Sequence, residues 1–524
     1  MSLNASLLSI IAHARSGALA HAWHLFREGG FDRARKDPAA LSVRGRLLKD
    51  DALRVEGAAR KRLYLQAADA YARAGKISGE TYPLINAATL SLLAGRRKQA
   101  HTLARRVLDR RGSERETPYY RIATRAEALL LLGEVAQART TLASAMVRAP
   151  HAYEDHASTL RQFSLILYEL GESKTWLDAF RPPRCLHFAG HMGVAAGGAA
   201  IAREIRAVIR KERVGFGYGA LAAGADILIA EALLEAGAEL HLVLPAPEAM
   251  FREASVARFG KGWARRFDRV LRKAHSIRIA GSEGPPSPLA IQLAAEVAMG
   301  RAAMQAATLS TEAVQLLILD RKDKKSAAAG GSVWIASTWK RGGRRQLILA
   351  APRARAARHA SAKPAPGILA AMLRIEMSVS SGERLTGEIL PWLARALKTG
   401  ARPLMAPRWT GDAVLAAFST PHAAAQAALS AASVMAEKSD LRVAGHYAIV
   451  EEASDPFGGA VFLTGPGAAL PREIAKSTPY GAIHLSEDFA AALHAGAVRP
   501  RTEFVGELRD DAGCDVTALF SLKR

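Results

Sequence analysis

The chain has 524 residues, 49% hydrophobic and 23% charged, with 72 Lys+Arg against 49 Asp+Glu and a formal charge of +23. Such a length makes about three domains, and a mean hydropathy of +0.02 excludes wholesale disorder and a multi-span membrane protein. No run of roughly 18 uncharged apolar residues occurs, and MSLNASLLSIIAHARSG at the start lacks a charged n-region and a cleavage site. Cys185 and Cys514 are too few for a disulfide framework or a Cys-rich zinc site. The expectation is a soluble, cytoplasmic protein without a membrane partner.

Residues 1–182 carry helical periodicity and few strand signals. YPLINAATLSLLAGRRKQA (82–100), YYRIATRAEALLLLGEVAQA (119–138) and, more loosely, LRQFSLILYELGESKTWL (160–177) align without gaps, each with a glycine at one point: Gly95, Gly133 and Gly171. A small residue between two amphipathic segments, repeated at a fixed period, predicts stacked helical hairpins, the glycine letting two helices meet closely. RKRLYLQAADAYARAG (60–75) fits the same layer. The region resembles tetratricopeptide arrays, in particular the TRAFs-binding type, and the resemblance implies a protein partner.

Residues 183–351 alternate short apolar runs with helical segments: CLHFAGH (185–191), IAREIRAVIRKE (201–212), VGFGYGA (214–220), ADILIAEALLEAG (225–237), ELHLVLP (239–245), IQLAAEVAMGRAAM (291–304), VQLLILD (314–320) and RQLILA (345–350). SVWIASTW (332–339) reads as strand or helix. This order predicts a Rossmann-like, doubly wound parallel sheet. Residues 352–368, rich in Arg, Ala and Pro, read as a linker. From residue 369 to 524, LRIEMSV (373–379), a helix, the hairpin PLMAPRWTGDAVLAAF (403–418), a second helix and LRVAGHYAIVEE (441–452) give the order β-α-β-β-α-β of a ferredoxin-like core. The fold class expected is multidomain α and α/β, with a C-terminal α+β unit.

Glycines at strand ends let backbone amides approach a phosphate, and the next helix N-terminus adds a favourable dipole. Gly215, Gly217, Gly219 and Gly224 stand before the helix at 225–237, in a spacing that is neither a P-loop nor G-x-G-x-x-G. Tight turns in the sheet explain them equally well. His191 follows the first strand, where open sheets bind ligands, and Asp226 in the first helical turn would repel a phosphate placed directly on that helix. FAGHM (188–192), ALAAGADILIAEALLEAGAELHLVLP (220–245), F-x3-SV (251–256) and W-x2-RF-x2-VL (263–271) resemble a SLOG-type Rossmann module. The resemblance implies a sensor of a nucleotide or nucleotide derivative, and carries over Gly190, His191, Gly224, Asp226 and Glu231. GVAAGGAAIA after FAGHM departs from the expected longer, Pro/Arg-rich segment.

RWTGDAVLAAF (408–418), HAAAQAAL, LRVAGHYAIV and PYGAIHLSEDFAAAL (479–493) follow the order of class III adenylate/guanylate cyclase domains, which this region resembles. The resemblance implies bacterial signal transduction, a homodimer through this unit, and two carboxylates holding Mg²⁺ or Mn²⁺ for attack on an α-phosphate. Asp412 matches one metal ligand; Glu376, in RIEMSVSS, stands where an Asp is expected. The transition-state Asn-x3-Arg becomes Ala468 and Arg472 in GPGAALPREIAK, with Pro466 and Pro471 expected to disturb a helix there. Asp510, Asp511 and Asp515 lie where a purine-reading lysine would be. Arg472 remains as a catalytic candidate, with an ordinary surface residue as the alternative reading.

The expected function is a signalling or scaffold protein with partner-binding repeats, a nucleotide-ligand sensor and an inactive cyclase-like regulatory unit. The alternative is an active, Mg²⁺- or Mn²⁺-dependent cyclase with Glu376 and Asp412 as metal ligands. G-x-S-x-G, H-E-x-x-H and C-x-x-C do not occur, and RKDKK (321–325) reads as a solvated loop. Arg outnumbers Lys 54 to 18, and the excess charge falls on residues 1–182 (+11) and 183–351 (+10) as scattered arginines. That pattern suits an acidic protein or phosphate-bearing ligand better than nucleic acid.

Overall fold

The computed structural model describes residues 5–110, 116–194, 198–281, 284–320, 331–354, 367–378, 385–398, 402–434, 441–454, 456, 461–496, 500–509 and 516–523. RKDKK (321–325), most of the linker, Cys514 and Asp510, Asp511 and Asp515 lie outside these residues. The chain forms two compact units, Met1–Pro182 and Pro183–Arg524.

The first unit is helical: α1 (Ala5–Arg15), α2 (Leu19–Glu28), α3 (Pro38–Ala52), α4 (Gly57–Ser78), α5 (Thr81–Leu93), α6 (Arg97–Leu108), α7 (Pro118–Leu131), α8 (Val135–Arg148) and α9 (Tyr153–Leu170), then a 3₁₀ turn at Thr175–Phe180. Helix starts follow local chemistry: the Asp37 and Thr117 side chains accept the amides of Ala39 and Tyr120, each just before a proline in the first turn. The hairpins α5–α6 and α7–α8 stack as the repeat predicts, burying Leu84, Leu90, Leu103, Leu130, Leu142 and Phe163 in one core.

The repeat glycines act differently from the expectation. Gly95, Gly133 and Gly171 take positive φ at the ends of α5, α7 and α9, with open space where a Cβ would stand. They end helices in the left-handed conformation. Close approach falls instead at Gly45, facing the Tyr71 ring, and at Gly75, facing Leu84.

The second unit holds two sheets. The first is parallel throughout, in the order β4-β3-β2-β1-β5-β6. Its strands are β1 (Arg184–Gly190), β2 (Val214–Gly219), β3 (Glu239–Leu244), β4 (Ser276–Ile279), β5 (Ala313–Leu319) and β6 (Arg345–Ala350). Between them lie α10 (Gly198–Lys211), α11 (Ala225–Glu235), α12 (Glu248–Ser255), α13 (Lys261–Leu271), α14 (Pro288–Thr308) and α15 (Ser332–Arg341), so SVWIASTW is helical. The chain starts mid-sheet at β1, runs outward to β4, then returns to β5, which puts a topological switch point between the ends of β1 and β5.

In the second sheet β10 (Leu441–Ser454), β7 (Ile368–Met377), β9 (Ala413–Phe418) and β8 (Met405–Trp409) are antiparallel neighbours in that order. This is the ferredoxin-like order expected of β-α-β-β-α-β, with helices α16 (Leu390–Lys398) and α17 (Pro421–Val434) as its crossovers. The sheet continues through β12 (Ile483–Ser486), β14 (Val516–Lys523) and β13 (Arg501–Arg509), while β11 (Val461–Thr464) pairs the far end of β10. Helices α18 (Pro466–Ser477) and α19 (Glu487–Ala495) flank β12 in sequence. Contrary to the expectation, α18 does form. Pro466 occupies its first turn, where no amide is needed, and the internal Pro471 is buried without ending the helix.

The two sheets share one core. Leu293, Val297 and Ala298 of α14 pack with Leu373, Ile375, Phe418, Phe489 and Leu493. Both ends of α19 are held by the parallel-sheet region. Arg278 and Arg301 pair with Glu487 and Asp488 in its first turn, and Arg344 donates to the carbonyls of His494 and Ala495 at its end. No described helix is long and apolar enough to cross a membrane.

Candidate functional site

Alternation along β7 decides which of its side chains can do chemistry. Ala371, Leu373 and Ile375 point into the helix-covered core, so Arg374 and Glu376 share the opposite face. Across the sheet, Arg374 registers with Leu415 of β9 and Ala444 of β10, and Glu376 with Ala413 and Arg442. The β8–β9 hairpin turns through Gly411 at φ +93, with the Thr410 amide donating to the Ala413 carbonyl at 2.9 Å. That turn brings Asp412 to the same place.

The two carboxylates of the expected metal pair therefore converge, but on a guanidinium. Arg374 donates from Nε to Glu376 Oε1 at 2.6 Å and from Nη2 to Asp412 Oδ2. Arg442 donates from Nε to Glu376 Oε2 at 2.8 Å, with its guanidinium 4.7 Å from the Tyr480 ring centre. The Thr410 hydroxyl donates to Asp412 Oδ1 at 2.9 Å. All four carboxylate oxygens are engaged. Burial alone would raise the Glu376 carboxyl, but the two arginines outweigh it and hold it below its usual range. Thr410, then Arg374, hold Asp412 low as well.

These residues do not fit Mg²⁺ or Mn²⁺. Two arginines already balance the two carboxylates, and the Arg374 side chain is only 9% exposed. At an effective dielectric of about 20, each unit charge about 4 Å from another contributes about 4 kcal/mol, so a divalent ion would meet that repulsion twice over from Arg374 alone. Among the described residues no cluster of His, Cys, Asp and Glu is arranged for a metal. Arg472 is exposed on α18. Ala468, four residues earlier, packs on Ala370, Met372 and Ala448 of the sheet. Sequence reasoning missed Arg374, Arg442 and Tyr480. The two-residue spacing of Arg374 and Glu376 on one strand was the signal for the first.

The second candidate is the end of β1, at the switch point. Gly190 packs so tightly that a Cβ would stand 2.4 Å from that of Ala225, and Gly224, at φ +102, lies against the Gly193 backbone. His191 is 3% exposed, with Nδ1 3.0 Å from the Gly193 carbonyl and Nε2 2.9 Å from that of Ala351. Residues 351–354 cross this crevice: Ala354 donates to the Gly193 carbonyl at 3.2 Å, Val194 bridges Arg353, and the Arg353 amide donates to Asp320 Oδ2 at 2.8 Å. Asp226 is buried, with Oδ2 accepting from the Ala222 amide at 3.1 Å and Oδ1 without a partner. Burial pushes its carboxyl up to about 7 against the pull of the Ala222 and Gly190 amides.

The ligand set expected from sequence thus divides. Gly190, His191, Gly224 and Asp226 gather at the end of β1. Gly217 serves packing, since a Cβ there would stand 2.3 Å from Leu233, and Gly219 does the same against Phe188. Glu231 points elsewhere, pairing with Arg266 and Arg269 of α13.

The model of the Tetratricopeptide Repeats-Sensor family matches residues 3–91, in the helical unit. No curated protein matches the chain. Among solved structures, the guanylate cyclase domain of RhGC from Catenaria anguillulae in complex with GTP is similar over 30% of this chain and 96% of its own, at 12% identity and a TM-score of 0.26. The adenylyl cyclase CyaB from P. aeruginosa is similar over 30% and 95%, at 11% identity and a TM-score of 0.26. Adenylate cyclases from Trypanosoma brucei give 29% and 87%, at 11% identity and a TM-score of 0.25. These likenesses bear on neither the activity nor the substrate of this chain.

Proposed function

We propose that the chain is a signalling scaffold in which the ferredoxin-like sheet is a regulatory, dimerising unit without turnover. The helical repeats take a protein partner, and the end of β1 takes a nucleotide or nucleotide derivative. The observation that carries the reading is Ala468, whose methyl packs on the sheet at the position where a cyclase would need a ribose-binding side chain. A methyl offers no hydrogen bond to a sugar hydroxyl. The Cα of neighbouring Gly467 lies so close to Ala448 that a Cβ would stand 2.6 Å from it, leaving no room for a larger group there.

The test is incubation of the full chain with ATP or GTP and Mg²⁺ or Mn²⁺, with cyclic nucleotide read by chromatography. None is expected. Metal-dependent product that disappears in Asp412→Ala would sink the reading. One observation favours the alternative, an active cyclase dimer: Glu376 and Asp412 do meet at one point. The ligand claim is tested by a nucleotide-binding screen on the full chain, with loss of binding in Asp226→Leu as the expected signature of the β1 site.

A further inference from the structure

The convergence of Glu376 and Asp412 on Arg374 has a use besides the loss of turnover. Arg374 presents its planar fork of donors between two carboxylates, one from its own strand and one from the β8–β9 turn. Arg442, registered opposite Glu376 on β10, takes the remaining Glu376 oxygen, and Thr410 takes the remaining Asp412 oxygen. Three neighbouring strands are tied together in this way with no charge left over.

We propose that the Arg374 guanidinium is a built-in replacement for a divalent cation, and that Glu376 and Asp412 form a latent divalent-cation site which one substitution at Arg374 uncovers. The inference rests on the reading of this sheet as a unit without turnover. It predicts that the natural chain is blind to divalent metal at this place. Hard cations take oxygen ligands and complete their shell with water; here the guanidinium supplies the positive charge between the two carboxylates instead. Removing it frees Glu376 Oε1 and Asp412 Oδ2 while Arg442 keeps Glu376 Oε2, which leaves one net negative charge at the vacated place for a divalent ion to balance.

The test uses the full chain and Mn²⁺ alone, with free ion followed by its paramagnetic resonance signal. The wild type and Asp412→Asn are expected to give the same isotherm. Asp412 is exposed at a hairpin turn, so this variant keeps the fold and needs no change at Arg374. Arg374→Ser is expected to gain one Mn²⁺ site, weakened roughly tenfold or more in Arg374→Ser/Asp412→Asn; Arg374→Met, which keeps the stem, serves the same purpose if the serine variant does not fold. Mn²⁺ binding by the wild type that Asp412→Asn weakens would overturn the inference, as would a folded Arg374 variant that gains nothing. Failure here is distinct from failure of the functional reading. Metal bound by an inactive wild type removes this inference alone, whereas turnover of a nucleoside triphosphate removes the reading itself.

Discussion

At the scale of single residues, the buried acids set a pH dependence with a definite sign. Asp226 is raised from 3.8 to about 7 by burial, so between those values the folded chain holds a proton that the unfolded chain has released. The contribution of Asp226 to stability therefore falls as pH rises through that window, by at most about 1.4 kcal/mol per pH unit. Glu296, on α14 beside Tyr447, is likewise raised to about 7 by burial and acts with the same sign. Asp226→Asn keeps the shape and cannot ionise. His187, His241, His446 and His494, held low by burial, act with the opposite sign up to their unfolded value near 6.5. Asp226→Asn is therefore expected to raise stability at pH 7 relative to pH 5 compared with the wild type, when urea midpoints are compared across that range. An unchanged slope would mean that Asp226 titrates normally. Neither acid was legible in the sequence as a titrating group, because burial on all sides is a tertiary property. What the sequence did mark was position, an acid in the first turn after a strand-end glycine.

Among the elements, the glycines separate two physical roles that one-letter patterns merge. Gly300 lies on α14 where a Cβ would stand 1.8 Å from the Ala491 carbonyl of α19. Gly95 ends α5 at φ +83 with open space around it. Gly300→Ala is expected to cost about 3 kcal/mol or more, because the backbone of α19 must move, while Gly95→Ala costs about 1 kcal/mol through backbone strain alone. Equilibrium unfolding of the two variants distinguishes them, and equal losses would contradict the packing described. The 38-residue recurrence of Gly95, Gly133 and Gly171 made the hairpins readable. Their purpose was not, since a helix stop and a close crossing both select glycine. The four-residue β4 was also illegible: SIRI (276–279) is an edge strand too short to show alternation. In α18 the proline rule failed because only one internal proline interrupts an otherwise apolar, sheet-packed helix face.

On the scale of the whole molecule, the residues after Pro182 behave as one body because α14 belongs to both sheets. A fragment ending at residue 351 would leave Leu293, Val297 and Ala298 facing water and would strand Arg278 and Arg344 without the ends of α19. Calorimetry is expected to give a single cooperative transition for a 183–524 fragment, with the 183–351 fragment aggregating or melting far lower. Two separate transitions in the longer fragment would show that the shared core does not couple the sheets. Sequence order revealed each sheet because strand and helix periods are local. Their fusion was hidden, since it depends on an Ala-rich helix whose small side chains, with Gly300, allow two layers to meet. The crossing of residues 351–354 over the end of β1 carries a quantitative consequence for recognition. A ligand that took the place of the Gly193 and Ala351 carbonyls beside the His191 ring would compete with backbone groups of the same chain, present at a fixed and saturating local concentration. Its observed dissociation constant equals the intrinsic one divided by the fraction of time that segment stands aside, so shortening or loosening the crossing tightens binding without any new contact.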